Sequence, residues 1–155
     1  MILVDTGPLV ALFDHKDAAH DRCSRALKSL REPLRTTIPV LTEAFHMLGP
    51  ASRESNRLRD FIERRGLSVW FLDAGSLVRA FELMVLYADH PMDLADASLV
   101  VAAEALGTRK VFTVDRRDFE TYRVRRGHRH YPMEIVPTPS FRDKPSRIGG
   151  KPGLP

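Results

Sequence analysis

Short apolar runs that alternate with longer helical segments constrain the fold of this chain more than any other feature. The runs lack a polar–apolar alternation, which indicates strands that are covered on both faces. Strands of this kind, separated by helices of about 10–15 residues, predict an α/β fold: a three-layer α/β/α sandwich on a mainly parallel sheet. The predicted strands cover residues 1–4, 34–37, 67–72, 110–114 and 133–136.

Start and stop signals delimit the helices between these strands. Pro8 is expected to be the first residue of the first helix, where the missing N–H costs nothing. Asp17 is expected to cap a helix over residues 18–30, and Gly107 to end an almost wholly apolar helix over residues 93–106. The remaining helices are predicted over residues 39–48, 53–65, 76–87 and about 117–122.

Composition indicates a globular protein with an anionic partner. Hydrophobic residues make up 43% and charged residues 28% of the 155, which is enough for a core and argues against general disorder. The formal charge of +4 favours a polyanion, nucleic acid first, as the partner. The single cysteine, Cys23, excludes a disulfide framework within the chain, and we expect its side chain to be buried. Trp70 and Phe71 are likewise expected in the core.

The chain is predicted to contain one folded domain, residues 1–136, followed by a tail. Residues 137–155 hold five of the eleven prolines and three of the nine glycines, and this basic segment is expected to be flexible. No apolar stretch approaches the roughly 18–20 residues of a membrane span. The first residues contain Asp5 and lack a basic leader. We therefore expect a soluble, cytoplasmic protein that does not interact with membranes.

Acidic residues fall where a parallel sheet gathers its ligands. Asp5 and Asp115 follow the first strand and the strand KVFTV, and ligands bind beyond the carboxyl ends of such strands. Glu43 lies on the helix that follows residues 34–37. Asp93 and Asp96 lie one turn apart at the start of the apolar helix. These five carboxylates are expected to share one pocket.

Each of these acids also has a purely structural interpretation. Asp5 can be a turn residue, and Asp93 can be the N-cap of its helix with Asp96 at the third position. Asp115 can belong to a salt-bridged turn, and Asp118 is interpreted as a cap or a pair partner. The functional interpretation is favoured for Asp96, because an acid on a helix that is apolar almost all round requires a partner.

Several carboxylates in one cleft repel one another, which raises their pKa values unless a positive charge intervenes. Oxygen donors without cysteine suit Mg²⁺ or Mn²⁺, ions that activate water and stabilise the leaving oxygen in phosphodiester hydrolysis. A basic surface would attract the polyanion to this acidic site. Its candidate residues are the helical stripe with Arg22, Arg25, Lys28 and Arg31, the group Arg53, Arg57, Arg64 and Arg65, the pair Arg116 and Arg117, and the run RVRRGHRHY over residues 123–131.

The order of these motifs resembles the PIN-domain nucleases, and most closely the VapC-type toxins of bacterial and archaeal toxin–antitoxin pairs. The matching segments are MILVDT, the glutamate at position 43, DLADASLVVAAEALG and FTVDRRDF, and the resemblance spans about residues 1–136. It implies a PIN-like sandwich with Mg²⁺- or Mn²⁺-dependent endoribonuclease activity. It also implies RNA as the substrate, a homodimer, and inhibition by a cognate antitoxin.

The resemblance also implies roles for individual residues. The acidic quartet of the family falls on Asp5, Glu43, Asp96 and Asp115. Asp5, Asp96 and Asp115 would hold the metal, and Glu43 would orient or deprotonate the attacking water. The supporting residues are Thr6 and Thr113, which could hydrogen-bond a carboxylate, Asp93, which could supplement or replace Asp96, and Asp118. The arginines expected to grip RNA are Arg116, Arg117, Arg22 and Arg25.

Two other classes of function stay open. One is a PIN fold that serves as an RNA-processing factor or an inactive RNA-binding module. The other is a receiver-like phosphoacceptor domain, which is also doubly wound with acids at strand ends. That class expects an adjacent acidic pair early in the chain, whereas Asp5 stands alone and Asp73 after LSVWFL has no matching pair.

Overall fold

The computed structural model describes residues 1–136, and the tail predicted over residues 137–155 lies outside the described residues. The described part of the chain contains seven strands and seven helices. The strands are β1 (Ile2–Val4), β2 (Leu34–Thr37), β3 (Ser68–Trp70), β4 (Lys110–Phe112), β5 (Arg123–Arg126), β6 (Arg129–Pro132) and β7 (Glu134–Ile135). The helices are α1 (Thr6–Phe13), α2 (His20–Ser29), α3 (Ile38–Leu48), α4 (Arg53–Glu63), α5 (Ala74–Leu86), α6 (Leu94–Leu106) and α7 (Arg116–Thr121).

Five of the strands form one parallel sheet in the order β3-β2-β1-β4-β7. The central strand β1 is wholly buried, with Leu3 at 0% exposure, which is why it consists of three consecutive apolar residues. Helix α6 packs across β1 and β2, and nearly all of its residues from Ala95 to Ala103 are buried. The predicted α/β class with a mainly parallel sheet is confirmed.

The switch in strand order beside β1 determines where a ligand can bind. Strand β1 continues directly into α1, and β4 lies beside β1 and leads into α7. Helix α6 begins after a separate loop and packs against β1 and β2. Gly7 allows α1 to begin close to the end of β4, because a Cβ at this position would overlap the side chain of Val114. The segments that carry the acids are thereby brought together at one edge.

Most predicted helices are present, but the expected roles of Pro8 and Asp17 at helix starts were wrong. Pro8 is the third residue of α1 and not the first, although it still lies in the first turn, where an N–H has no helical acceptor. Helix α2 begins at His20 after an Ala19 N-cap, so Asp17 does not cap it. The Asp17 carboxylate instead accepts from the Ala19 N–H at 2.7 Å, which closes a turn before the helix.

One further expectation was wrong, and one element was not predicted. Phe71 was expected in the core, but it is 69% exposed because it lies past the end of the edge strand β3. The run RVRRGHRHY was predicted only as basic surface, yet it folds into an antiparallel hairpin of β5 and β6 outside the main sheet. Cys23 is buried, as predicted, and Trp70 is half-buried. Within residues 1–136, no helix is long and apolar enough to cross a membrane.

Candidate active site

Asp5 lies at the centre of the site, where β1 ends. Its residue exposure is only 7%, and both carboxylate oxygens accept hydrogen bonds. Oδ1 accepts from the N–H of Thr6 at 2.7 Å, and Oδ2 accepts from the hydroxyl of Thr113 at 2.7 Å. Asp5 is also the N-cap of α1. The strand end and the helix start therefore fix the orientation of this carboxylate.

Thr6 connects Asp5 to the glutamate of α3. Its hydroxyl donates to Oε2 of Glu43 at 2.8 Å, while its backbone N–H holds Asp5. Glu43 lies on the helix that follows β2, whose carboxyl end is adjacent to that of β1. The predicted roles of Thr6 and Thr113 as hydrogen-bond donors to carboxylates agree with these contacts. The other carboxylate oxygen of Glu43 accepts no hydrogen bond from residues 1–136.

Asp96 enters the site from the first turn of α6. Its Oδ2 accepts from the hydroxyl of Tyr122 at 3.0 Å. Tyr122 is completely buried and packs edge-on against Tyr87, His90 and Phe119. Sequence reasoning missed Tyr122, because a tyrosine at the end of a short helix carries no signal that it will reach an acid 26 positions away.

The other two predicted acids beside these positions act as helix caps. Asp93 is the N-cap of α6, with Oδ1 accepting from the Asp96 N–H at 2.8 Å, as the structural interpretation predicted. Asp115 caps α7 through the Asp118 N–H, and its side chain is exposed. The N–H of Asp115 donates to the Thr113 hydroxyl, which in turn donates to Asp5, so two hydrogen bonds connect this backbone to the Asp5 carboxylate. Asp118 is a pair partner, with His90 Nε2 at 2.7 Å.

Burial and mutual repulsion perturb the two central carboxylates. Burial, with repulsion from Asp93 and Glu43, raises the pKa of Asp5 to about 6, although the donors Thr113 and Thr6 favour its charged form. Burial, with repulsion from Asp93, Asp5 and Asp118, raises the pKa of Asp96 to about 7. The favourable contacts to these two carboxylates come from neutral donors. The site therefore concentrates negative charge that a cation would stabilise.

The donor set fits a hard divalent cation that retains several waters. Among residues 1–136, no three His, Cys, Asp or Glu side chains are grouped as a ready-made set of metal ligands. Mg²⁺ does not require such a set, because it is commonly held by one or two carboxylates with water completing the shell. Glu43 and Asp96 each have one oxygen that no protein donor occupies in the contacts above. The arrangement suits Mg²⁺ or Mn²⁺ better than a softer metal.

The predicted RNA-binding arginines occupy two different places. Arg116 and Arg117 are exposed at the start of α7, directly after Asp115. Arg22 and Arg25 are exposed on α2, which packs against α1 and contributes no contact to the carboxylates described above. The first pair thus lies beside the site, whereas the second pair lies on a separate surface.

The carboxyl edge of this parallel sheet brings together buried and half-buried acids that accept hydrogen bonds from hydroxyl groups. These features define the class of protein: an α/β protein with a hydrolase-like acidic site. Within that class, this chain belongs to the PIN-domain family, since the family model for the PIN domain matches residues 2–125. The match includes all four members of the predicted quartet. The assignment sets aside the receiver-like alternative.

Known proteins support this family assignment. The chain is 28% identical over 125 residues to ribonuclease VapC26 of Mycobacterium tuberculosis, which covers 79% of this chain and 92% of that protein. Its fold is similar to that of the crystal structure of M. tuberculosis VapC20, a sarcin–ricin loop cleaving toxin. The TM-score is 0.70 at 22% identity, over 76% of this chain and 92% of VapC20.

A second solved structure shares the same fold. It is a toxin–antitoxin complex from Klebsiella pneumoniae, with a TM-score of 0.61 at 17% identity. The match covers 78% of this chain and 92% of the matched chain. At these identities the structural matches establish the PIN fold.

Proposed function

We propose that this protein is a metal-dependent endoribonuclease and the toxin of a type II toxin–antitoxin pair. The observation that carries the proposal is the set of carboxylates of Asp5, Glu43 and Asp96, held by neutral donors at the carboxyl edge of a PIN-domain sheet. Support also comes from the similarity to a protein named as a ribonuclease. An acidic site within a chain of positive net charge suits a polyanionic substrate.

Each acid has a separate role in the proposed mechanism. Asp5, Asp96 and Asp115 would hold Mg²⁺ or Mn²⁺, directly or through water. When bound, the ion would supply a Lewis acid that lowers the pKa of water and offsets charge on the phosphate. Glu43, held by the Thr6 hydroxyl, would orient or deprotonate the attacking water. Cleavage is expected to leave a 5′-phosphate and a 3′-hydroxyl.

The arginines position the RNA strand across the carboxylates. Arg116 and Arg117 are exposed next to Asp115, where they can contact phosphates on either side of the cleaved bond. Arg22 and Arg25, exposed on α2, would form a second and separate contact surface for the RNA. Because such contacts are to the backbone, they supply affinity and orientation and leave sequence selection to other contacts.

Two protein partners and a compartment follow from the toxin proposal. A cognate antitoxin would bind the protein and hold it inactive, and a second copy of the chain would form a homodimer. The apolar stripe of Val78, Phe81 and Val85 on α5 supports the dimer, because these side chains are 49–77% exposed and lie on one face of the helix. RNA and antitoxin would be encountered in the cytoplasm.

Incubation of the purified protein with total RNA, with Mg²⁺ and with EDTA, tests the proposal. We expect cleavage in Mg²⁺ that EDTA abolishes, and we expect the variants Asp5→Asn and Asp96→Asn to lose it. Asp73→Asn is the matched control, because Asp73 is also a helix N-cap but lies outside the site. Wild-type cleavage rates in both site variants would contradict the mechanism. RNA binding without cleavage would instead favour the inactive-module alternative.

A further inference from the structure

The β5–β6 hairpin concentrates positive charge that the site described above does not use. Residues 123–132 contain four arginines and no acidic residue. The rest of the described chain holds sixteen basic and nineteen acidic residues. The positive charge of the described part of the protein therefore lies on one small element, while the remainder is slightly negative.

The hairpin arginines are exposed, and no acidic side chain of the described residues compensates them. None of the four forms an ion pair with an acid of residues 1–136. Arg126 faces Arg129 across the two strands, a like-charge pair that destabilises a hairpin. The Arg126 guanidinium donates to the Gly107 carbonyl oxygen, which holds the side chain in place without neutralising its charge. An anion bound between these guanidinium groups would relieve their mutual repulsion.

The hairpin begins at the acidic site and runs away from it along α6. Tyr122, whose hydroxyl contacts Asp96, immediately precedes β5. Further along, the N–H of Arg125 donates to Glu104, and Arg126 reaches Gly107 at the end of α6. At about 1.5 Å per helical residue, the distance along α6 from Asp96 to Gly107 is about 16 Å. The arginines thus extend outward from the site.

The chemistry of the exposed side chains favours nucleic acid over protein as the partner. Protein interfaces are centred on buried apolar or aromatic anchors, whereas nucleic-acid interfaces are polar and strongly positive. On the hairpin, Val124 is buried and Tyr131 is half-buried beneath the Arg109 guanidinium. The exposed positions are mainly arginine and histidine.

We propose that the β5–β6 hairpin binds the phosphate backbone of RNA that flanks the cleaved bond. This inference rests on the proposed ribonuclease function. It adds a surface through which affinity depends on the length of the RNA. A strand that fills only the acidic site does not reach Arg125, Arg126 and Arg129. A longer strand does, and it gains affinity through these contacts.

The test combines a triple variant with two RNA lengths. The variant is Arg125→Gln, Arg126→Gln and Arg129→Gln; Arg123 is kept because its guanidinium holds the carbonyl oxygens at the end of α7. Its matched control carries Arg53→Gln, Arg57→Gln and Arg64→Gln, which removes equal charge from the exposed surface at α4. The substrates are a tetranucleotide and a single-stranded RNA of about 20 nucleotides. Affinity is measured in EDTA, and KM and kcat are measured in Mg²⁺.

We expect the hairpin variant to bind the longer RNA about tenfold or more weakly, with KM raised and kcat retained. The slope of log affinity against log salt should fall by about 2, since each lost phosphate contact contributes about 0.7 for a single strand. Binding of the tetranucleotide should change less than about twofold. An equal loss in the α4 control, or an equal loss for both RNAs, would overturn the inference.

Two further outcomes distinguish RNA binding by the hairpin from binding of an acidic protein and from catalysis. A hairpin variant that binds the longer RNA normally but loses affinity for poly-glutamate peptide would assign the hairpin to an acidic protein and overturn the inference. A wild-type protein that binds the longer RNA through the hairpin but never cleaves RNA would overturn the proposed nuclease activity alone. The binding arm in EDTA thus tests the hairpin independently of catalysis.

Discussion

The hydroxyl of Tyr122 donates a hydrogen bond of 3.0 Å to Oδ2 of Asp96, which joins the end of α7 to the first turn of α6. Tyr122 is fully buried in an aromatic cluster, so its hydroxyl position is set by packing. The other Asp96 carboxylate oxygen accepts no hydrogen bond from residues 1–136. Tyr122 therefore acts as a positioning residue for the carboxylate on α6.

Replacing Tyr122 by Phe should shift the pH dependence of cleavage. The hydroxyl favours the charged form of Asp96, so its loss should raise the pKa of that carboxyl above its present value of about 7. We expect the acidic limb of the kcat/KM profile to move up by about one pH unit. Tyr87→Phe is the control, because the Tyr87 hydroxyl accepts from the Arg123 N–H and does not contact Asp96. Identical profiles in both variants would contradict this role.

Asp5 should make the metal-free protein less stable as the pH rises. Its pKa is about 6 in the folded protein against 3.8 for the unconstrained group, so the folded state binds the proton more tightly. The contribution of Asp5 to stability is therefore most favourable below pH 3.8 and declines until about pH 6. Asp5→Asn should remove this decline and stabilise the protein at pH 7.5 by about 2–3 kcal/mol in urea unfolding.

Asp73→Asn provides a control of opposite sign for the Asp5 measurement. Hydrogen bonds from Ser76 lower the pKa of Asp73, so its contribution is present at neutral pH and is lost as the pH falls. Between pH 4 and pH 6, Asp5→Asn should become increasingly more stable than wild type. Asp73→Asn should show no such increase over the same range. A stability difference between Asp5→Asn and wild type that is independent of pH would show that Asp5 ionises normally.

Divalent cations should stabilise the wild-type protein at pH 7.5. A ligand that binds only the folded state contributes about 2.7 kcal/mol at a hundred times its dissociation constant. We expect Mn²⁺ to raise the thermal midpoint of the wild type and to have a much smaller effect on Asp96→Asn. Asp73→Asn should respond like the wild type. Equal Mn²⁺ responses in all three proteins would place the ion elsewhere.

Thr113→Val should impair cleavage more than it impairs folding. The Thr113 hydroxyl donates to Asp5 and accepts from the Asp115 N–H, so its removal frees both groups. We expect activity to fall by about 10–100-fold, with a loss of about 1–2 kcal/mol in unfolding free energy. Thr36→Val is the matched control, because the buried Thr36 hydroxyl donates to the Val4 carbonyl oxygen. Comparable activities in the two variants would argue against a specific role for Thr113.

Val85→Glu should dissociate the proposed homodimer without unfolding the protein. Val85 is 77% exposed, so a charge there costs little in a monomer but is unfavourable in an apolar interface. Analytical ultracentrifugation should show a dimer for wild type and a monomer for this variant. Asn56→Glu, an exposed substitution on α4, should leave the dimer intact. A dimer that persists in Val85→Glu would place the interface on another face.

The sequence predicts the main sheet and the acidic positions because both depend on local patterns. Consecutive apolar residues indicate the buried strand β1, and Asp5 follows that strand directly. The apolar helix α6 with Asp93 and Asp96 at its start was predicted in the same way, including the cap. These features depend on local patterns of apolar and polar residues along the chain, which a single sequence shows. The hydrogen bonds of Thr6 and Thr113 agree with their proximity to the acids.

Features that depend on tertiary contacts were not predictable. The β5–β6 hairpin lacks an apolar face of its own beyond Val124, so its residues give no strand periodicity. Its position depends on packing against α6. Phe71 has an apolar side chain that predicts burial, but the edge strand leaves it uncovered. Tyr122 reaches Asp96 because β5, which follows it directly, packs against α6.

Three of the acids in and beside this site, Asp5, Asp93 and Asp115, also begin helices as N-caps. Asparagine caps a helix about as well as aspartate but carries no charge. A PIN protein that loses RNA cleavage during evolution could therefore retain its helix caps through single aspartate-to-asparagine replacements. Replacement by alanine would also reduce the stability of the fold. We therefore expect relatives of this chain that lack nuclease activity to be enriched in asparagine at these three positions.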